Sequence, residues 1–550
     1  MRTVAALVSL WLGACAAAPR CDATWPQGSG PNGNWTASGP APPLTFSGTT
    51  GENVVWRMSL PETGQGGIAL ANGRVFVATM APWTGATLAA EDAAKYAHAT
   101  EGRAVVGKHV DAHCLDAATG ALLWTRRIDG EVPSIYSYPF SDATSASPCA
   151  DDAHVWFTNA GGQVVCFTHA GDVVWSRRFT PTFDGPFNKQ FEPFLLDDPA
   201  RGAGARTFVH MEPFAVGGAA DGPRWNVLLG LDAATGAELW RSDDALTHYN
   251  APILVATADG PCVLHARGGP HDVPERPVGL SLTRATGPRA GSVVWRYEDP
   301  RGNHEAALQT MACDARFAYW LLREPLSLLV VLDVRTGAVV REISLLDNVV
   351  LQALPADDAA PANGPVTLQQ GVFPARYSMH AAHGRLWFLT YATAWGKPVL
   401  GAPRCVASVD PMAAPGVPAV RYAELPTRIS CEHGERRVVW RTSLEARAID
   451  SRGDEVTGDP RSRWDGWDWV FHPSPTQVGD LLFFTLQTGL VYVIDAAASS
   501  PVQSDGAPAG FGDLGPLGAT WTGNSVSYAD GRLYHRTARE LLCFGRGAAR

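Results

Sequence analysis

The chain has 550 residues and a formal net charge of −10, with 46% hydrophobic and 18% charged residues, 56 Gly, 41 Pro and 19 Trp. An acidic balance with no basic run argues against nucleic acid as a partner, because that binding rests on Lys and Arg neutralising phosphates; small molecules or proteins are expected instead. Abundant turn formers beside a large apolar fraction favour many short strands around one sizeable core.

In chain order, residues 1–18 read as a signal peptide: Arg2, the apolar run Val4 to Leu12, then Ala14, Ala16, Ala17 and Ala18. Leu12-Gly13-Ala14-Cys15 resembles a bacterial lipobox, so a lipid anchor at Cys15 stands beside plain secretion. The expected location is periplasmic, envelope-anchored or extracellular. No stretch reaches the run of about 18 apolar residues that a transmembrane helix needs. Residues 19–52 read as a strap. Gly28-Ser29-Gly30-Pro31-Asn32-Gly33 satisfies G-x-G-x-x-G literally, but Pro26, Pro31 and Pro40 hold it in loops, where a dinucleotide fingerprint needs a strand before and a helix after. Asn34-Trp35-Thr36 is a glycosylation sequon that matters only in a eukaryotic secretory pathway and is read as chance.

From residue 53 the chain repeats itself. Cys114-Leu115-Asp116-Ala117-Ala118-Thr119-Gly120-Ala121-Leu122-Leu123-Trp124 recurs as Gly230-Leu231-Asp232-Ala233-Ala234-Thr235-Gly236-Ala237-Glu238-Leu239-Trp240, with degenerate copies at 166–175, 280–295 and 331–341. Each copy predicts a hairpin, a strand turning at Asp/Thr-Gly into a second strand that ends in Trp. An apolar pair of segments lies upstream of each, so four strands per unit follow. Repeated four-stranded sheets at this period predict a β-propeller, in which no blade buries both faces alone. Eight blades are expected, at 67–124, 143–175, 190–240, 251–297, 306–343, 378–442, 470–500 and 519–544, all within one all-β domain spanning 53–545. The last has three strands of its own, and residues 53–58 are expected to supply its fourth and close the ring.

Ten cysteines occur without any C-x-x-C, which indicates neither a zinc ribbon nor a thioredoxin-like pair. Cys114, Cys166 and Cys543 hold equivalent places in three repeats and read as buried thiols, whereas Cys405 and Cys431 flank a loop-rich stretch and could pair.

The repeat resembles the PQQ-like repeat of quinoprotein dehydrogenases and of outer-membrane assembly scaffolds. Trp25-Pro26-Gln27, Thr247-His248-Tyr249-Asn250, Pro274-Glu275-Arg276-Pro277 and His472-Pro473-Ser474-Pro475 resemble a branch of exported bacterial PQQ-like propellers. For the dehydrogenases, the resemblance implies a quinone sandwiched by a Trp and a vicinal disulfide, with calcium held by acidic and amide groups beside a catalytic Asp. This chain has no adjacent Cys pair and no segment matching those ligands, so PQQ with calcium is disfavoured and no cofactor is assigned.

Strands alternate direction, so loops between blades share a face with those joining second and third strands. That face carries polar groups over blades two to five. The expected catalytic residues are Glu192, Glu212 and His248, with the two carboxylates suited to acid–base work, or to holding an unidentified metal with the histidines. His210, Asn250, Arg267, His271, His304 and Trp467 are the expected ligand-binding residues. Trp464 to Trp469 (WDGWDW) could stack a sugar or pack as core, an ambiguity shared by Tyr136, Tyr138 and Phe140. The leading expectation is an extracytoplasmic binder of a small molecule or glycan, with acid–base catalysis by the first three residues. The alternatives are a non-enzymatic protein-docking scaffold and a PQQ-dependent oxidoreductase.

Overall fold

The structure, a computed structural model, describes residues 24–82, 105–131, 134–135, 142–181, 192–215, 224–246, 252–269, 276–302, 311–322, 326–352, 364–368, 378–391, 393–394, 397–398, 404–426, 428–432, 435–440, 473–503, 506–515 and 520–547. Among these, the strands form eight sheets of four or more strands, each built on a four-stranded antiparallel meander. Blade one is Ala69–Ala71, Arg74–Met80, Val110–Asp116 and Leu122–Ile128, inner to outer. Blades two to five repeat the order, ending in the outer strands Val173–Arg178, Glu238–Leu246, Val293–Glu298 and Val339–Ser344. Blade eight consists of Ser527–Ala529, Arg532–Arg536 and Glu540–Gly545, and its outer strand is the N-terminal segment Val54–Ser59, paired antiparallel with Glu540–Gly545. No described helix is long and apolar enough to cross a membrane.

The repeat motif is a device for joining blades. Asp116 Oδ1 accepts from the backbone N–H of Ala118 and Thr119 and from the Thr119 hydroxyl, which fixes the turn. Gly120 leaves that turn at φ +73°, and the indole of Trp56, from blade eight, lies against it. Trp56 Nε1 then donates to the Ala117 carbonyl at 3.1 Å. Trp124 does the same to His169 at 2.9 Å, Trp175 to Ala233 at 2.9 Å and Trp295 to Val334 at 2.9 Å, each on the next blade. Each indole is largely taken from water, and burying ~200 Å² of ring at ~25 cal/mol per Å² contributes roughly 5 kcal/mol before entropy.

Blades six and seven depart from the expected bounds. The sequence places the end of blade six at the strand leading to Trp440, but its outer strand is Val420–Leu425, and Arg428–Glu432 with Glu435–Val439 forms a separate hairpin. Blade seven runs past residue 500, to an outer strand at Gly510–Asp513. Both outer edges are extended by a parallel strand from elsewhere in the chain: Val350–Gln352 along Val420–Leu425, and Thr45–Ser47 along Gly510–Asp513. Neither edge carries the repeat's Trp.

Residues 25–37 run inside the ring. Trp25 exchanges backbone hydrogen bonds with Leu70 of blade one, and Pro26 accepts from Ala150 of blade two. Gln27 Oε1 accepts from Leu195 of blade three, and Gly33 from Leu254 of blade four. Thr36–Ala37 then pairs in parallel with Thr476–Val478 of blade seven. All of these partners lie on inner strands or just beside them, so the segment fills the central channel. Trp25, Gln27, Ser29 and Trp35 are all buried there.

Cys114, Cys166 and Cys543 sit buried in the sheets, and burial pushes their thiols up to about 11, 12 and 11. Cys405 is buried in the strand Arg404–Val409, and the Cys431 side chain lies outside what the structure describes.

Candidate functional site

Glu212 and His210 lie two residues apart on Arg206–Ala215, the second strand of blade three, and so share one face. Arg177, from the outer strand of blade two, forks onto the Glu212 carboxylate at 3.0 and 3.2 Å. His210 Nε2 lies 3.2 Å from Glu212 Oε1. The Glu212 side chain is only 3% exposed. Burial alone would raise its pKa, but His210 and Arg177 outweigh that and hold it at about 2. A carboxylate so held is ionised at any ordinary pH, and it brackets blade two to blade three.

Arg267 sits in a second bracket. Its Nε is 3.3 Å from Asp244 Oδ1, on the outer strand of blade three, and its Nη1 donates to Glu298 at 2.8 Å and to the Pro277 carbonyl at 3.0 Å. Asp244 is fully buried and also takes Arg276 at 3.0 Å, Arg296 at 3.3 Å and the Ser281 hydroxyl. Burial opposes its ionisation, yet His265, Ser281 and the arginines together keep its pKa below the usual range. Burial lowers the pKa of His265 against the opposing pull of Asp244.

Glu192 belongs to a different neighbourhood, against Gly28 of the channel segment. The inner-strand approaches of blades one and two run side by side here: Gln65 N–H donates to Thr144 Oγ1 at 2.7 Å, and Gly67 N–H to Ser147 Oγ at 2.7 Å. Ser147 also hydrogen-bonds the Glu192 carboxyl, and a side chain on Gly28 of the channel segment would collide with both groups. Burial raises Glu192 to a pKa of about 7 despite the Ser147 bonds. Asp142, fully buried, accepts from the Thr144 N–H at 2.8 Å, and burial raises its pKa too. Arg536 of blade eight is buried above the same segment and donates to the Gly66 carbonyl at 2.7 Å. Among the described residues, Glu192 Oε2, Asp142 Oδ2 and both amide atoms of Gln65 are buried without a hydrogen-bond partner.

Glu192 and Glu212 therefore have separate partners, and the described groups that converge with Glu192 come from blades one, two and eight. His248, Asn250, His271, His304 and Trp467 lie outside the described residues, as do Tyr136, Tyr138 and Phe140. Sequence reasoning passed over Gln65, Asp142, Ser147 and Arg536. The usable signal was the run Thr63-Gly64-Gln65-Gly66-Gly67, whose glycines pass where any Cβ would meet the Arg536, Thr144 or Ser147 side chains or backbone.

A family model described as outer membrane protein assembly factor BamB matches residues 45–181 and 108–306. Over residues 45–306 the chain resembles the repeats of that PQQ-like family. Among solved structures, this PQQ-like propeller is similar to a europium-containing methanol dehydrogenase at 10% identity, covering 96% of this chain and 98% of that one, with a TM-score of 0.50. It also matches the quinohemoprotein alcohol dehydrogenase of Comamonas testosteroni (12% identity, 96% and 81% covered, TM-score 0.49). BamB of Moraxella catarrhalis matches at 13% identity, with 74% and 97% covered and a TM-score of 0.33. At such identities the likeness is one of fold. No curated protein matches the chain.

The dehydrogenase branch of the family implies a quinone and calcium. The chain has no two adjacent cysteines, and no group of three His, Cys, Asp or Glu suited to a metal occurs among the described residues. Glu192, the buried carboxyl nearest in kind to a calcium ligand, faces Ser147 and Gly28.

Proposed function

We propose that this PQQ-like propeller is an exported, non-catalytic scaffold whose rim docks partner proteins by strand addition. One observation carries the reading: two of the eight blades already have their outer edges extended by a parallel strand from elsewhere in the chain. Among the described residues the outer strands of blades one, two and five have no such extension, and each opens with an adjacent pair of exposed apolar residues. These are Leu122 and Leu123 (50% and 44% exposed), Val173 and Val174 (61% and 42%), and Val339 and Val340 (47% and 50%). Each pair sits where the register of its strand shifts, a β-bulge, and both of its apolar side chains are exposed at the rim. Solvent-facing edges are ordinarily blunted by charge, as the half-exposed Arg127 and Arg178 do further along the same strands. An extended segment of a partner would gain ladder hydrogen bonds and bury the apolar pairs. The matched family of assembly factors is in keeping with such a role.

Site-specific photo-crosslinking in the native host tests it. A photoreactive residue at position 123, 173 or 340 should give discrete protein adducts, and one at exposed Arg335 should not; the absence of adducts from all three rim positions would refute docking at these edges.

A second reading is favoured by the unpartnered buried atoms of Gln65, Asp142 and Glu192. Buried polar groups are ordinarily satisfied, so a small molecule or glycan received beside the channel segment would complete them, with Glu192 as its acid or base. No described donor set supports a quinoprotein oxidoreductase.

A further inference from the structure

We propose that the seam between blades six and seven is a binding site for a small oxyanion ligand, a carboxylate or a phosphate ester. A cavity of about 450 Å³ lies there, lined by Arg385, Trp387, Ser408 and Arg421 on one wall and by the loop Ala498–Pro501 of blade seven on the other. That volume is in the range of small-molecule pockets.

Strand register builds the wall. Trp387 stands opposite Ser408, Ser408 opposite Arg421, and Arg421 opposite Val350 of the added strand. Side chains alternate along a strand, so this row shares one face of the sheet, and Arg385, two residues before Trp387, joins it. Gln352 Nε2 donates to Ser500 Oγ at 2.9 Å, tying the added strand to the facing loop and fixing the cavity's width. The added strand Val350–Gln352 thus forms part of the site's lining.

Charge identifies the ligand. Most described arginines are spent on a carboxylate or a backbone carbonyl: Arg177 on Glu212, Arg206 on Asp151 and Asp197, Arg301 on Asp299 and Glu342, and Arg341 on the carbonyls of Pro411 and Ala413. Arg385 and Arg421 have no ion pair or hydrogen bond among the described residues. Asp480, on the facing turn of blade seven, is held by His383 at 3.0 Å. In a chain of net charge −10, two guanidinium groups without a carboxylate among the described residues, lining one cavity, form a local positive site. Guanidinium forks suit the paired oxygens of carboxylates and phosphates, and the Ser408 side chain on the same row adds a hydroxyl.

The test is isothermal titration of the mature protein with inorganic phosphate and with citrate at low ionic strength, beside the Arg385→Gln and Arg421→Gln variants, the double variant and an Arg335→Gln control. Saturable binding of one anion per chain is expected, weaker by roughly tenfold or more in each single variant because a charge-assisted hydrogen bond is lost, and absent in the double variant. The stronger of the two probes identifies the ligand as carboxylate or phosphate. Melting curves matching the parent's show that the variants fold. No saturable binding of either anion, or equal binding by the double variant, overturns the proposal.

Discussion

Trp56 and Gly120 join the two ends of the ring: the indole from the last blade lies against the turn glycine of the first, where a Cβ would come within 2.5 Å of the ring. The same contact recurs at Trp175 with Gly236 and at Trp295 with Gly337, where a Cβ would come within 2.6 and 2.7 Å. Gly73 has a similar φ, +71°, and nothing within 4 Å of where a Cβ would sit. Gly73→Ala should therefore cost only the backbone strain, about 1 kcal/mol, whereas Gly120→Ala adds displacement of the indole and should cost about 3 kcal/mol. Urea unfolding of the two variants checks this, and equal losses would mean the Trp56 contact adds nothing.

This joint was legible in the sequence because it is made by side chains at fixed offsets: Asp for the turn, Gly for its exit and Trp for the dock. The path of residues 25–37 through the channel was not, because most of its bonds to the inner strands use backbone groups, which leave no residue pattern. Blades six and seven misled for a related reason. Their outer strands are covered by added strands in place of a Trp, and at Gly512 a side chain would collide with the Phe46 ring. Glu212 looked like a free acid in sequence, since nothing in its own strand announces that Arg177, 35 residues earlier, folds onto it.

Glu212 makes a prediction with a definite sign. Its folded pKa, about 2, lies below the ordinary 4.5, so its stabilisation is complete above about 4.5 and is lost as pH falls through 2. Glu212→Gln should destabilise the protein at pH 7 by about 3 kcal/mol, because Arg177 loses its partner, and the gap from the parent should narrow below pH 4. Chemical unfolding across pH reads it; a gap independent of pH would point to packing in place of charge.

Glu192 behaves oppositely. Burial raises its folded pKa to about 7, so the stability it contributes is fully present below about 4.5 and is lost as pH rises through 7. Glu192→Gln should match the parent at pH 4 and be more stable than it at pH 8. A variant that is less stable at pH 8 would show that the ionised carboxylate has a partner, which a ligand or ion beside the channel segment would supply.

Strand addition at the rim is tested most directly by amide hydrogen exchange on the propeller, alone and in a complex purified from its host. Among the described residues the outer strands Leu122–Ile128, Val173–Arg178 and Val339–Ser344 have one unpaired edge each, and a docked strand would pair it. The account predicts new protection confined to one or more of these three strands in the complex. Protection around Gln65 and Glu192, with the rim strands unchanged, would contradict it.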